Sequence, residues 1–292
     1  MRWTPGGTSR NIEDRRGSSG GGFAGGGFPV GPGMGLGGLV VLVLALLFGG
    51  NVFDGGGDEG TAPSAPTATQ GGDVAIEETP AERERVQFVS FVLDDAQTFW
   101  TQALPQIGTP YRDAKLVLFR RAVSSGCGAA QSAMVPFYCP IDEKVYIDLG
   151  FYDELQRRFG APGDFAQAYV LAHEIGHHVQ NVLGEAGRVR EMQERRPDLA
   201  NELSVRVELQ ADCYAGVWGR NAQQRQRLDP GDLEEGLAAA SAVGDDRIQS
   251  QATGRVHPES FTHGTSEQRT RWFMRGFQSG DPRSCNTFEG AV

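Results

Sequence analysis

Apolar residues recur at helical spacing in five long stretches of this chain and gather into three short strand-like runs between the first two. The first helical stretch opens at Thr79, placed as an N-cap, with Pro80 in the first helical position and Glu82 completing a capping box. From there Val86, Val89, Val92, Leu93, Ala96, Phe99, Trp100 and Ala103 line one face that ends near Pro105. Residues 115–119, 133–138 and 144–149 then read as strands. Pro136 makes the second an edge strand or a bulge, because it cannot donate to a ladder. Such an edge beside an active-site helix could pair with an extended peptide, although plain sheet structure is the simpler role. Residues 153–159 read as a short helix.

The second long stretch carries the chemistry. Asp164-Phe-Ala-Gln167 has capping-box character, and Phe165, Ala168, Tyr169, Ala172, Ile175, Gly176 and Val179 recur at helical spacing up to a stop at Gly184. Residues 185–196 are charged and predict a solvated helix or loop. A further long helix is expected from Pro197-Asp198 to about Gln224, another from Asp229-Pro230 through Val243, and a loop over 249–264. Thr265-Ser-Glu-Gln268 caps a final helix that buries Trp272, Phe273 and Phe277 and stops at Gly280.

Near the middle of the second stretch stand His173, Glu174 and His177, in the order His-Glu-x-x-His. Histidines four apart on a helix project from one face about one turn apart, suited to adjacent corners of a zinc tetrahedron. Glu174 then stands beside the open position, where a general base is useful. Two imidazoles leave zinc short of ligands, since a catalytic site typically has three protein ligands and a water. Glu208 and Asp212 share a face of the next long helix, among Val207, Leu209, Ala211, Cys213 and Tyr214, where ionised carboxylates are costly without a cation. Ala211, Ala215 and Gly219 are small enough to let the two helices approach. Glu208 is thus the expected third ligand to a single zinc ion, and Asp212 the acceptor for a ligand ring N–H, that of His173. His263, in the 249–264 loop, is a candidate for stabilising an oxyanion. His257 makes a weaker case for the same role, and His178 faces elsewhere on its helix and reads as a core or surface residue.

The N-terminal part has a different texture. Residues 1–35 are rich in Gly, Ser and Arg and read as disordered. Residues 36–48 carry no charge, and extended back to Phe28 the uncharged run reaches 21 residues, long enough to cross a bilayer. Arg2, Arg10, Arg15 and Arg16 precede it, whereas the 49–78 stretch that follows is a Gly/Ala/Pro-rich acidic linker without Lys or Arg. The positive-inside rule then predicts one transmembrane helix with a cytoplasmic N-terminus and the domain of residues 79–292 outside the membrane, periplasmic or external. A cleaved signal peptide is the alternative, disfavoured by the roughly 30 residues before the apolar core and by the lack of a nearby Ala-x-Ala site. Net charge of −10 leaves no basic stripe for nucleic acid. Cys127, Cys139, Cys213 and Cys285 fit an oxidising compartment and form no Cys-x-x-Cys pair. Three disulfide pairings are open. Joining Cys127 to Cys139 closes a short loop and leaves Cys213 with Cys285, which would tie the C-terminal tail to the helix of the third ligand.

His173-Glu-Ile-Gly-His177 followed by Glu208-Leu-Gln-Ala-Asp212 looks like the gluzincin arrangement. The chain more closely resembles the bacterial family known as "putative neutral zinc metallopeptidase", through residues 11–17, 132–140, 159–167, 173–180, 208–216 and 260–269. That resemblance implies a membrane-anchored, zincin-like α+β domain, mainly helical with a small sheet. The expected activity is hydrolysis of a peptide or protein substrate by zinc-activated water, with Glu174 as base. The competing expectation is an extracytoplasmic zinc-binding module that keeps the metal for stability and binds a protein or cell-wall partner; an intact Glu174 argues against it, because a structural site has no use for a base.

Overall fold

A computed structural model describes residues 1–17, 76–131 and 135–292. In chain order its elements are β1 (Ile12–Asp14), α1 (Pro80–Ala103), β2 (Lys115–Phe119), β3 (Ala122–Ser125), β4 (Gly128–Gln131), β5 (Phe137–Cys139) and β6 (Lys144–Asp148). They continue with α2 (Phe151–Arg157), α3 (Asp164–Val182), α4 (Glu185–Arg195), α5 (Ala200–Gln224), α6 (Asp232–Ala242), α7 (Asp245–Thr253) and α8 (Ser266–Ser279). The architecture is α+β, mainly helical with a small sheet.

The sheet has strand order β1-β2-β6-β5, parallel except for the antiparallel β5–β6 edge pair. Strand period 2 divides its residues between two cores. Leu116 and Leu118 belong to the main helical core, whereas Val117 and Phe119 belong to a smaller cluster with Val123 and Ala130 of the β3–β4 hairpin. That hairpin is not expected from the pattern. Of the strand expected over 133–138, residues 133 and 134 lie outside the described residues; the described part pairs from Phe137 to Cys139, directly after Pro136, and is an edge strand.

Helix α3 is apolar on most faces, and such a helix needs neighbours all round. It packs against α1, α5, α6 and the sheet, with Phe165, Leu171, Ile175 and Val179 fully buried. Close helix contacts are made at glycines. A Cβ on Gly176 would lie 2.8 Å from the Ala211 carbonyl oxygen of α5, and one on Gly276 of α8 would overlap the Cys213 carbonyl oxygen outright. Gly276→Ala is therefore expected to force α5 and α8 apart and to destabilise by about 1–3 kcal/mol; thermal denaturation would show it, and an unchanged Tm would mean the helices yield freely.

The N-terminal segment corrects the sequence reading. Residues 1–17 are not disordered but packed on the domain. Trp3 meets Phe88 of α1 edge to face at 5.4 Å, and β1 forms the parallel edge strand beside β2. The Arg16 guanidinium, 3% exposed, binds Asp14 at 2.6 Å, Glu78 at 2.8 Å and Glu82 at 3.1 Å. Glu82 consequently pairs with Arg16 and Arg120 instead of completing a capping box, although Thr79 does cap α1. At α3 the expected box is also absent. Gly163 is the N-cap, Glu235 of α6 accepts the Phe165 N–H at 3.1 Å, and Asp164 faces the Met1 ammonium at 2.6 Å. Deleting residues 1–17 should lower Tm by roughly 10 °C, taking about 3 kcal/mol of lost packing and ion pairing at 2–4 °C per kcal/mol.

Because residues 1–17 and the domain form one body, a single crossing by the run between them cannot put them on opposite sides of a membrane. The expectation of a cytoplasmic N-terminus and an extracytoplasmic domain on a single-pass anchor is overturned. Among the described residues no helix is long and apolar enough to cross a membrane. The apolar run 36–48, residues 18–35 and all but the end of the expected 49–78 linker lie outside the described residues.

The remaining differences are local. The loop expected over 249–264 is helical over its first five residues: α7 spans 245–253, with Asp245 and Asp246 in its first turn and Gly254 ending it in the left-handed conformation. The last helix matches its expected capping box and Gly280 stop. The disulfides join Cys127 to Cys139 and Cys213 to Cys285.

Candidate metal centre

Where Gly176 lets α3 and α5 touch, the side chains on either side of the contact are the sequence-predicted ligands. His173 Nε2 lies 3.2 Å from Glu208 Oε2, and His177 Nε2 lies 3.5 Å from Glu208 Oε1. The three ligand atoms fall within 4.8 Å of one another. Helical spacing put the imidazoles together; the close approach of α5 supplied the carboxylate. Each ring is held from behind, His173 Nδ1 by Asp212 Oδ1 at 2.8 Å and His177 Nδ1 by Gln180 Oε1 at 2.9 Å.

Asp212 is wholly buried, and its carboxylate is satisfied from several sides. Arg269 of α8 donates to it through Nε at 2.8 Å and Nη2 at 3.0 Å, and the Tyr169 hydroxyl donates as well. Burial would raise the Asp212 pKa, but Arg269 and His173 outweigh it and keep the group ionised. Burial would lower that of His173, but Asp212 and Glu208 push it up to about 9. Glu208 is buried too, yet His177 and His173 hold it well below the usual carboxylate range.

Glu174 behaves in the opposite way. It is 6% exposed, and burial raises its pKa, with His173 and His177 only partly offsetting the effect. Its carboxyl has no hydrogen-bond partner among the described residues, which sets it apart from the tightly held Glu208 and Asp212.

His263 enters from the loop before α8. The Asp245 carboxylate accepts the backbone N–H groups of Thr262 and His263 at 2.7 Å each, and its Oδ1 lies 3.0 Å from His263 Nδ1. Burial opposes protonation of this ring, but Asp245 and the charge of Glu208 raise its pKa. His257 is exposed beside Glu259. His178 is a core residue, its Nδ1 2.9 Å from the Tyr138 hydroxyl and its Nε2 2.6 Å from the Arg112 carbonyl.

The sequence reading missed Tyr169, Gln180, Asp245 and Arg269. Arg269 had a signal, since it lies at helical spacing with Phe273, Gly276 and Phe277 on the buried face, where a lone charge needs a partner. Asp245 had none, because nothing local marks it as the organiser of a loop 17 residues on.

A family model described as "Putative neutral zinc metallopeptidase" matches residues 1–288. The chain belongs to that family. It is 50% identical over 294 residues to the protein YpfJ of Escherichia coli K12, covering 100% of both chains. It is 46% identical over 203 residues to Mb2605 of Mycobacterium bovis and to Rv2575 of Mycobacterium tuberculosis H37Rv, covering 66% of this chain and 67% of each. No solved structure matches it.

Zinc is the metal this metallopeptidase family implies, and the residues present fit it: two imidazoles and a carboxylate converge, with each ring's outer nitrogen on an acceptor, which leaves the inner nitrogens as lone-pair donors. A second acidic group, Asp164, Asp232 and Glu235, is also compact enough for a cation. There the Met1 ammonium supplies the positive charge, 2.6 Å from Asp164 and 3.2 Å from Asp232.

Proposed function

We propose that this chain is a zinc-dependent metallopeptidase of zincin-like organisation, acting on peptide or protein substrates. The observation that carries this reading is Glu174: a largely buried carboxyl with no hydrogen-bond partner among the described residues, next in sequence to one metal-ligand candidate and three residues from the other. A site built only to hold a metal has no reason to keep such a group.

His173, His177 and Glu208 would hold one zinc ion. When bound, zinc would polarise a scissile carbonyl and acidify a water. Glu174 is the group that takes the proton from the attacking water, and its raised pKa suits it to pass that proton on to the leaving amine. Asp212 and Gln180 keep the two rings in the orientation that leaves their Nε2 lone pairs free. His263, whose Nδ1–H faces the Asp245 carboxylate, can donate from Nε2 to the developing oxyanion as the imidazolium, the form that Asp245 and Glu208 favour.

Metal analysis of the purified chain, paired with a broad peptide-library digest, tests the proposal. One zinc per chain and cleavage that stops with a chelator and returns with zinc are expected. A zinc-loaded chain that cleaves nothing, yet melts higher with metal than without, would replace the peptidase with a metal-stabilised binding module.

A further inference from the structure

His177 can offer Nε2 to a metal only while Nδ1 carries the proton, and the acceptor at Nδ1 is the amide oxygen of Gln180, 2.9 Å away. Gln180 is 1% exposed, and its two amide hydrogens are both used across the helix contact: Nε2 lies 2.7 Å from the Val207 carbonyl and 2.9 Å from Gln210 Oε1. A backbone carbonyl only accepts, so the nitrogen of Gln180 must face Val207 and its oxygen must face His177. Gln210, 2% exposed, repeats the pattern. Its Nε2 donates to the Cys285 carbonyl at 3.1 Å, which turns its oxygen toward Gln180. Cys285 is in turn bound to Cys213, three residues along α5 from Gln210.

We propose that Gln180 is a positioning residue for the metal centre, and that Gln210 and the disulfide-anchored carbonyl of Cys285 form the far end of the same relay. The two metal-ligand histidines are thereby held by different means. His173 leans on an ion pair, Asp212 with Arg269, whereas His177 leans on a chain of neutral amides whose direction is set by two carbonyls. Gln180 also ties α3 to the backbone of Val207, the residue before Glu208, so one amide sets both the ring of the second ligand and the spacing to the third.

The inference rests on the metal-site reading above, and the test separates the two. Zinc affinity is measured by chelator competition, and the ring Nδ1–H signal of His177 is followed by NMR on 15N-histidine-labelled, zinc-loaded protein. Gln180→Met is expected to lose roughly 10–100-fold in zinc affinity and to expose the His177 N–H to rapid exchange. Gln210→Met, one step removed, costs about 2–10-fold. A wild-type chain that takes up no stoichiometric zinc ends the metal-site reading itself. Wild-type binding with Gln180→Met unchanged in both readouts overturns the relay alone. If Gln180→Met does not fold, a Gln210→Met variant identical to wild type overturns it equally.

Discussion

Glu174→Gln is expected to lower hydrolysis by about 10²–10⁴-fold, the usual contribution of a positioned acid–base group, while one zinc stays bound. Glutamine has the size and shape of glutamate, so the surrounding packing is kept, but it can neither accept a proton at neutral pH nor return one. The three candidate ligand atoms lie on His173, His177 and Glu208, so removing the Glu174 charge leaves the ligand set complete. Stability should rise slightly if it moves at all. A buried carboxyl whose pKa is raised is costly to ionise in the folded state, and the neutral amide lifts that cost. Measured zinc content and turnover on a cleaved peptide decide the matter. Turnover within tenfold of wild type would remove Glu174 from the mechanism, and loss of zinc would make it a ligand instead.

Arg269→Met is expected to have the largest effect on stability of any single substitution in the centre. Arg269 is 3% exposed and Asp212 is wholly buried, and the guanidinium donates to both carboxylate oxygens. Removing one partner of a buried pair leaves the other charge uncompensated, at about 3–5 kcal/mol. At 2–4 °C per kcal/mol in a chain of this size, Tm should fall by roughly 10 °C. The damage should reach the metal as well, because Asp212 freed from Arg269 is free to reorient, and His173 then loses the acceptor that sets its ring. Replacing the pair together, with Asp212→Asn and Arg269→Met, should recover part of the stability but not the zinc affinity. An Arg269→Met protein melting within about 2 °C of wild type would show the ion pair to be dispensable, with Asp212 compensated by other means than the guanidinium.

Most of the helical framework is legible in the chain alone. Caps and stops are local, so Thr79 and Gly280 end up where their chemistry places them. The same locality explains two errors. Glu82 and Asp164 stand in the first turns expected of them but read in sequence as capping-box residues; each lies opposite a cation from the N-terminal segment, and an ion pair with Arg16 or the Met1 ammonium displaces the capping role. The glycine and arginine content of residues 1–35 reads as disorder, although Trp3 and Ile12 within it find a helix face and an open strand edge to pack on. Composition counts what a segment contains and is blind to the surface that receives it.

The sequence by itself determined the pairs that a helix creates at i, i+4: His173 with His177, and Glu208 with Asp212. One turn of backbone brings such residues together whatever else the chain does. Only the tertiary structure decided which helix faces meet, and with that the Gly176 contact that carries Glu208 to the rings, the Arg269 that neutralises Asp212, the Asp245 that presents His263, and the amides behind His177. Apart from Gln180, three residues from His177 on the same helix, those partners lie 18 or more residues apart, and what selects them is the cost of burying a charge or an N–H without one, a cost that exists only once the helices have packed.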